Sequence, residues 1–508
     1  MGITVGIDLG TTNSVVAFLN EDGDPEVVKN SNGNKKTPSV VQFRSEETVV
    51  GEAALNQGVR FPDSTARKVK RHMGDDTWTF ETENQQLRPE GISSLVLEKL
   101  VKDVEDKTGE EVDGAVITVP ADFSISERKA TQNAAEIAGV DVIRLMNEPT
   151  AACLRYGIEG TDETILVYDL GGGTFDVTVV NITEEDGIVV DGSRGAQRLG
   201  GEDFDEMLYQ QIILPNYIEQ IGEDPNEEVE WELQEQAKSL KEMISTTSSD
   251  YASHSNGFDL EVTREEFEEV TENIIEDTID TIEDLFGGDN VDSTKDDIDR
   301  VLLVGGSTRI PAVQERVQEY FGMEPSKELD LDLVVAEGAA IATDPDSLPI
   351  DIDGSGRGGS GEGNSDTRFV DVIARTIGVE VKGNNDDQME FDPILERDVE
   401  VPAKSKGDYT TTKDNQPIIE VNIFEGDSDF VADNDKLGSF TLEDISPAAA
   451  GEPHFLISFE IDEDGVLQAE AEDTDTGEKA NTTLEIGLSQ KEIDREIQKI
   501  KSNVPAVR

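Results

Sequence analysis

Apolar positions along this chain repeat with two different periods, and the change from one to the other divides it. Between residue 3 and about residue 342, short apolar runs such as Val116 to Val119, Ile165 to Val167 and Val301 to Val304 read as buried strands. They alternate with helical spacing around Ser94 to Val104, Glu127 to Ala138 and Glu265 to Leu285, which predicts an α/β region. From Phe369 to Gly487 the period shortens to two. Phe455, Ile457, Phe459 and Ile461 share one face, Leu456, Ser458 and Glu460 the other, and Asp464-Gly465 and Thr476-Gly477 supply turns. That is the pattern of an all-β sandwich. Between the two regions, Asp351 to Thr367 holds six Gly, three Ser and one apolar side chain, Ile352, too little apolar surface to order itself. Ser489 with Glu492 opens a short helix carrying Ile493, Ile497 and Ile500 on one face. The predicted division is therefore 1–350, a linker 351–368, a β module 369–487, a helix 488–501 and a tail 502–508.

The α/β region contains a repeat. Strand Val5 to Asp8, turn Leu9-Gly10-Thr11-Thr12-Asn13 and strand Ser14 to Leu19 recur as Leu166 to Asp169, Leu170-Gly171-Gly172-Gly173-Thr174 and Phe175 to Val180. Each copy ends a strand in Asp and turns on Gly and Thr, so two equivalent lobes facing each other are implied. Such turns suit a nucleoside triphosphate: glycine lets backbone N–H groups approach phosphate oxygens, Thr hydroxyls add donors, and carboxylates hold Mg²⁺ through its waters. A third glycine site, Gly305-Gly306-Ser307-Thr308-Arg309-Ile310-Pro311, joins a buried strand to a helix, and Arg309 can stack on a purine. Gly200-Gly201-Glu202-Asp203 offers a similar close approach.

Charge changes the picture of the partners. With 112 Asp and Glu against 42 Lys and Arg, the formal net charge is −70. Binding by neutralising phosphates is excluded, so neither nucleic acid nor an anionic membrane is an expected partner. The acids are spread through every segment, the pattern of a solvated shell adapted to strong salt, and the fold is expected to loosen when salt is removed. The single cysteine, Cys153, cannot form an internal disulfide, and no apolar stretch approaches the length of a membrane span, so a cytoplasmic protein is expected.

Five motifs in order, Ile7 to Ser14 (IDLGTTNS), Asn147 to Ala152 (NEPTAA), Asp169 to Asp176 (DLGGGTFD), Gly200 to Asp205 (GGEDFD) and Gly305 to Pro311 (GGSTRIP), together resemble the seventy-kilodalton heat-shock chaperones of DnaK type. In the β module, Asp414 to Pro417, Phe424 to Gly426 and Phe459 to Asp462 look like the same family. The resemblance implies an actin-like two-lobed α/β ATPase domain followed by an all-β sandwich that binds extended apolar peptide. It places Asp8, Asp169 and Asp176 around Mg²⁺, its waters and K⁺ at the phosphates of ATP. Lys70 matches the catalytic lysine, Glu148 the group that orients attacking water or metal, and Thr174 the γ-phosphate contact. The phosphate turns would be Gly10, Thr11, Thr12, Asn13, Gly171, Gly172 and Gly173, with Gly200, Gly201, Glu202, Gly305, Gly306, Ser307 and Arg309 completing the nucleotide pocket. Lys241 and Ser245 fit its adenosine end, a register in which the family's glutamate is replaced by Lys238; the other register uses Glu235 and Lys238.

Pro120, Arg128 and Asp371 resemble the residues that relay signals between domains, although the family's leucine-rich linker is here Thr367-Arg368-Phe369-Val370. Val379, Tyr409, Ile419 and Val421 align with the peptide cleft, and each fits a sandwich core equally well. Lys382 and Thr412 stand where the family's arch over the peptide is apolar, and the helix from Ser489 resembles the beginning of a lid, which favours fast peptide release. Expected partners are unfolded segments, a J-domain co-chaperone and a nucleotide-exchange factor. A weakly hydrolysing regulatory module acting beside another chaperone is the alternative, and a sugar kinase is disfavoured because the β module has no role in it.

Overall fold

The computed structural model describes residues 2–44, 47–82, 86–156, 162–183, 187–326, 330–344, 368–383, 389–443, 445–462, 467–474, 477, 479–483 and 488–503. The Gly/Ser stretch 351–367 and the tail beyond 503 lie outside the described residues.

Each copy of the repeat is an antiparallel hairpin with a parallel strand laid beside its first arm. Ile3–Asp8 pairs antiparallel with Asn13–Leu19 and parallel with Val112–Val119. Glu163–Leu170 pairs antiparallel with Thr174–Thr183 and parallel with Arg300–Val304. Strands flanked on both faces read as continuous apolar runs, which is why Val116, Ile117, Ile165, Leu166 and Val167 are all fully buried. Helix Pro89–Thr108 covers the first sheet and shares its core with Ile7 and Ile117, while Arg264–Phe286 covers the second with Phe175 and Val177. The ends of these helices are set by sequence: Ser124 and Glu127 box the start of Ile125–Ala138, and Thr263 and Glu266 box the start of Arg264–Phe286.

The two sheets are joined by small residues. Helix Val334–Ile341 crosses helix Glu148–Tyr156 so closely that a Cβ on Gly338 would stand 1.7 Å from the Ala151 carbonyl oxygen, and one on Gly6 would stand 2.0 Å from the Ala340 nitrogen. Only glycine permits this backbone-to-backbone approach.

The β module is two four-stranded antiparallel sheets, one built on Ile377–Lys382 and Ile419–Glu425, the other on Ala403–Thr410, His454–Ile461 and Leu467–Asp473. Ile377, Ile423, Phe455 and Phe459 fill the space between them, with Ile125 of the α/β region inserted at the edge of that core. The chain passes from one region to the other through Arg368–Val370, which adds as a parallel edge strand to Gly187–Gln197. Backbone pairing of this kind needs no leucine side chains, so the departure of this segment from a leucine-rich pattern does not prevent it from docking.

Candidate functional site

Turn Gly10–Asn13 and turn Gly171–Thr174 face each other across a cavity of about 380 Å³. They approach within contact: a Cβ on Gly172 would fall 2.0 Å from Thr12 Oγ1, so neither turn tolerates bulk at that position. The second turn is held from outside. The N–H groups of Gly201 and Glu202 donate to the carbonyls of Gly171 and Gly172 at 2.9 and 2.8 Å, and Ser307 Oγ donates to Gly171 O at 2.8 Å. Ser39 Oγ does the same for Gly10 O at 2.7 Å.

Of the residues singled out from sequence, Asp8, Gly10, Thr11, Thr12, Asn13, Lys70, Glu148, Asp169, Gly171, Gly172, Thr174, Gly201, Glu202, Lys241, Ser245, Gly305, Gly306, Ser307 and Arg309 line the cavity. Gly173, Gly200 and Asp176 stand behind it. Gly173 packs on Thr11 and Arg71, and Gly200 packs on the 172–173 backbone. Asp176 sits opposite Asp169 across the hairpin, 3% exposed, with one carboxylate oxygen accepting from the Asp122 N–H at 3.2 Å.

Lys70 is buried rather than part of a solvated basic face, and its Nζ meets Glu148 Oε1 at 2.9 Å. Burial alone would lower its pKa, but Glu148 and Asp8 more than reverse that, so it stays an ammonium. Its carboxylate neighbours are short of positive charge. Burial, reinforced by Glu148, pushes Asp8 up to about 7 against the single opposing charge of Lys70. Asp169 and Asp176 are held well above the ordinary carboxylate range by burial and by the same crowding. Among the described residues no three carboxylate, His or Cys side chains converge on a point that could hold a metal directly. The donor set therefore fits Mg²⁺ that keeps its own waters and touches these acids through them, and the fixed excess of negative charge is what such an ion, with phosphates, relieves.

At the far end of the cavity Lys238, Lys241, Glu242 and Ser245 project from helix Glu227–Ile244. Lys241 Nζ is held by Gly201 O at 2.7 Å and Asp205 at 2.8 Å, and Ser245 Oγ caps Lys241 O at 2.7 Å. Glu235, the member of the other register, faces Arg67 at 3.1 Å, and Arg67 lies 3.8 Å over the Trp231 ring. Sequence reasoning did not single out Arg71, which bonds the Gly173 carbonyl at 3.1 Å and Asp203 at 2.9 Å and so ties the turn to its supporting helix. Its neighbour Lys70 was the only available signal.

The predicted relay residues meet. Arg128 and Asp371 both bond the Asn147 side chain, each at 2.5 Å, and Pro120 is buried beside them. Around this contact lies a buried ionic seam that no motif announced. Arg194 pairs with Asp398 at 2.6 Å, Arg375 with Asp122 at 3.1 Å, and Arg397 reaches both acids at 3.7 Å. Glu425 accepts from the Ile125 N–H at 3.0 Å; burial pushes its carboxyl up to about 8 despite Arg375.

In the β module, Val379 and Val421 are buried in the sandwich core, whereas Tyr409 and Ile419 are half-buried at its margin. Tyr409 donates its hydroxyl to Asp392 at 2.7 Å, and Ile418, next to Ile419, is 47% exposed.

Two facing glycine turns over a lysine–glutamate pair, joined to a β-sandwich, are the arrangement of a nucleotide-binding region followed by a second module. Comparison with known proteins gives the family. The model of the Hsp70 protein family matches residues 4–506. The "Chaperone protein DnaK" of Halobacterium salinarum, strains R1 and NRC-1, is 39% identical over 504 residues, covering 96% of this chain and 76% of its relative. The chain belongs to the Hsp70 family. It is accordingly an ATP-dependent chaperone and an ATPase that uses ATP with Mg²⁺, and the family binds unfolded substrates with J-domain and nucleotide-exchange partners. Among the described residues no helix is long and apolar enough to cross a membrane.

Proposed function

We propose that residues 1–350 form an actin-like domain of two lobes that hydrolyses ATP slowly, and that this controls apolar-peptide binding by residues 369–487. The observation that carries the reading is the meeting of both glycine turns with Lys70 and Glu148 over one cavity. Gly10 to Asn13 and Gly171 to Thr174 offer N–H and hydroxyl donors to phosphate oxygens, and Lys70 places its ammonium where negative charge grows during phosphoryl transfer. Glu148 holds Lys70 in place and can orient the attacking water. Thr174 offers its hydroxyl to the terminal phosphate. Asp8, Asp169 and Asp176 would hold Mg²⁺ through its waters, where it would offset phosphate charge, and the remaining acid surface would suit K⁺. Lys241, Ser245 and Arg309 bound the nucleoside end. Tyr409 and Ile419 offer apolar surface to a peptide; Val379 and Val421 support them from the core.

The acidic shell suits a cytoplasm rich in KCl, and a J-domain protein and an exchange factor complete the cycle. The test is the ATPase rate in molar KCl with and without an extended apolar peptide. Stimulation is expected; turnover indifferent to peptide would instead favour a regulatory module whose two regions are uncoupled.

A further inference from the structure

The C-terminal helix Gln490–Asn503 packs on helices Pro89–Thr108 and Ile125–Ala138. Leu488 and Ile493 are buried against Ile137, and Ile500 reaches the core beneath Pro89–Thr108. One acid interrupts this apolar face. Glu496, 2% exposed, comes down on the first turn of Pro89–Thr108, where Gly91 makes room: a Cβ there would stand 3.3 Å from Glu496 Oε2. The residue before that glycine is Glu90, 4% exposed. Oε2 of Glu90 and Oε2 of Glu496 are both buried without a hydrogen-bond partner.

The neighbouring charges cover one of these carboxylates but not both. Lys499 pairs with Glu496 Oε1 at 2.5 Å. Arg88, at the start of Pro89–Thr108, is engaged by Asp76 at 3.0 Å and lies 3.9 Å from Glu492. On Ile125–Ala138, Glu136 accepts from Gln490 at 2.8 Å, and His72, on the turn Val69–His72 packed against Pro89–Thr108, stacks on Trp78. A buried carboxylate oxygen without a partner is costly while the group is charged, and a proton on Glu90 removes that charge and supplies a donor.

We propose that a proton on Glu90, buried next to Gly91 where Glu496 comes down, is the condition for seating the C-terminal helix on the α/β region, which makes this helix a pH-responsive clasp. Burial raises the Glu90 carboxyl above its ordinary value although its own backbone N–H and Arg88 oppose the rise, and Asp76 and then Glu496 add to it. The seated form thus holds more protons than the released one. Seating is complete at low pH and is lost as pH rises through the raised value.

The test is amide hydrogen exchange across residues 491–503 of the full chain, in constant molar KCl, corrected for intrinsic rates. Wild-type protection should fall by up to about tenfold per pH unit across the transition. Glu90→Gln, uncharged at every pH and still able to donate, should keep its protection flat into the alkaline range. Flat wild-type protection, or a Glu90→Gln profile that tracks wild type, overturns the proposal. A change of protection at fixed pH when KCl is replaced by choline chloride identifies a bridging cation and also overturns it. Because Glu425 is a second buried acid at the seam, the series is repeated in Glu425→Gln: the pH dependence should persist there, and its disappearance would assign it to the seam.

Discussion

The phosphate cavity and the seam between the α/β region and the β module both bury charge, and they do so in opposite ways. At the seam two of the buried acids meet guanidinium groups: Arg194 takes Asp398, Arg375 takes Asp122, and Arg397 bridges the two, while Glu425 is held by the Ile125 N–H. In the cavity Asp8, Asp169, Asp176 and Glu148 share the one ammonium of Lys70. The seam pairs Asp122 and Asp398 with cations of the same chain and acts as a joint, although burial still raises the Glu425 carboxyl there. The cavity is left incomplete, which is the property of a site that waits for a cation and a polyphosphate.

Three experiments test that contrast. Arg194→Ala leaves buried Asp398 with only the longer contact to Arg397 and the Ser193 N–H, and loss of a close buried partner costs up to about 3–5 kcal/mol. Because the pair joins two regions, the expected result is separation of the β module, read as a larger radius of gyration in solution scattering; an unchanged radius would mean the seam is not held by its ions. Lys70→Ala removes the ammonium paired with Glu148 and should lower turnover by roughly 10²–10³-fold with little change in peptide affinity. Turnover that survives would remove Lys70 from the chemistry.

The smallest effect concerns pH. With no metal bound, Asp8 is pushed up to about 7, so below that pH a proton must leave before Mg²⁺ and nucleotide are accepted. Nucleotide affinity in the presence of Mg²⁺ should therefore fall by up to about tenfold per unit as pH drops below 7 and be flat above it. Calorimetry in buffers of different ionisation enthalpy should show proton release near neutrality, and its absence would contradict the assignment.

Much of the cavity was legible because its residues come in contiguous blocks. A strand-terminal Asp followed by Gly and Thr is a local pattern, and its recurrence at Asp8 and Asp169 announces two facing turns. Lys70 and Glu148 were legible through their neighbours, but the burial of Lys70 was not, since the acids that keep it charged are brought in by other strands. The seam left no trace in the sequence. Asp122, Arg194, Arg375, Arg397 and Asp398 are single charges in a chain full of charges, and only folding reveals which ones are out of water. Period-two patterning cannot tell a cleft wall from a core wall, and Val379 and Val421 lie in the core.

The close crossing at Gly6 and Gly338 has a consequence for the order of synthesis. Strand Ile3–Asp8 is made more than three hundred residues before helix Val334–Ile341, which covers one side of it. Until that helix arrives, Val15 and Ala17 of the adjacent strand also lack the partners Ala336 and Ala340 that bury them. The chain thus begins its life with a sheet it cannot finish, and a folding helper itself spends the longest part of its synthesis with apolar strand surface uncovered.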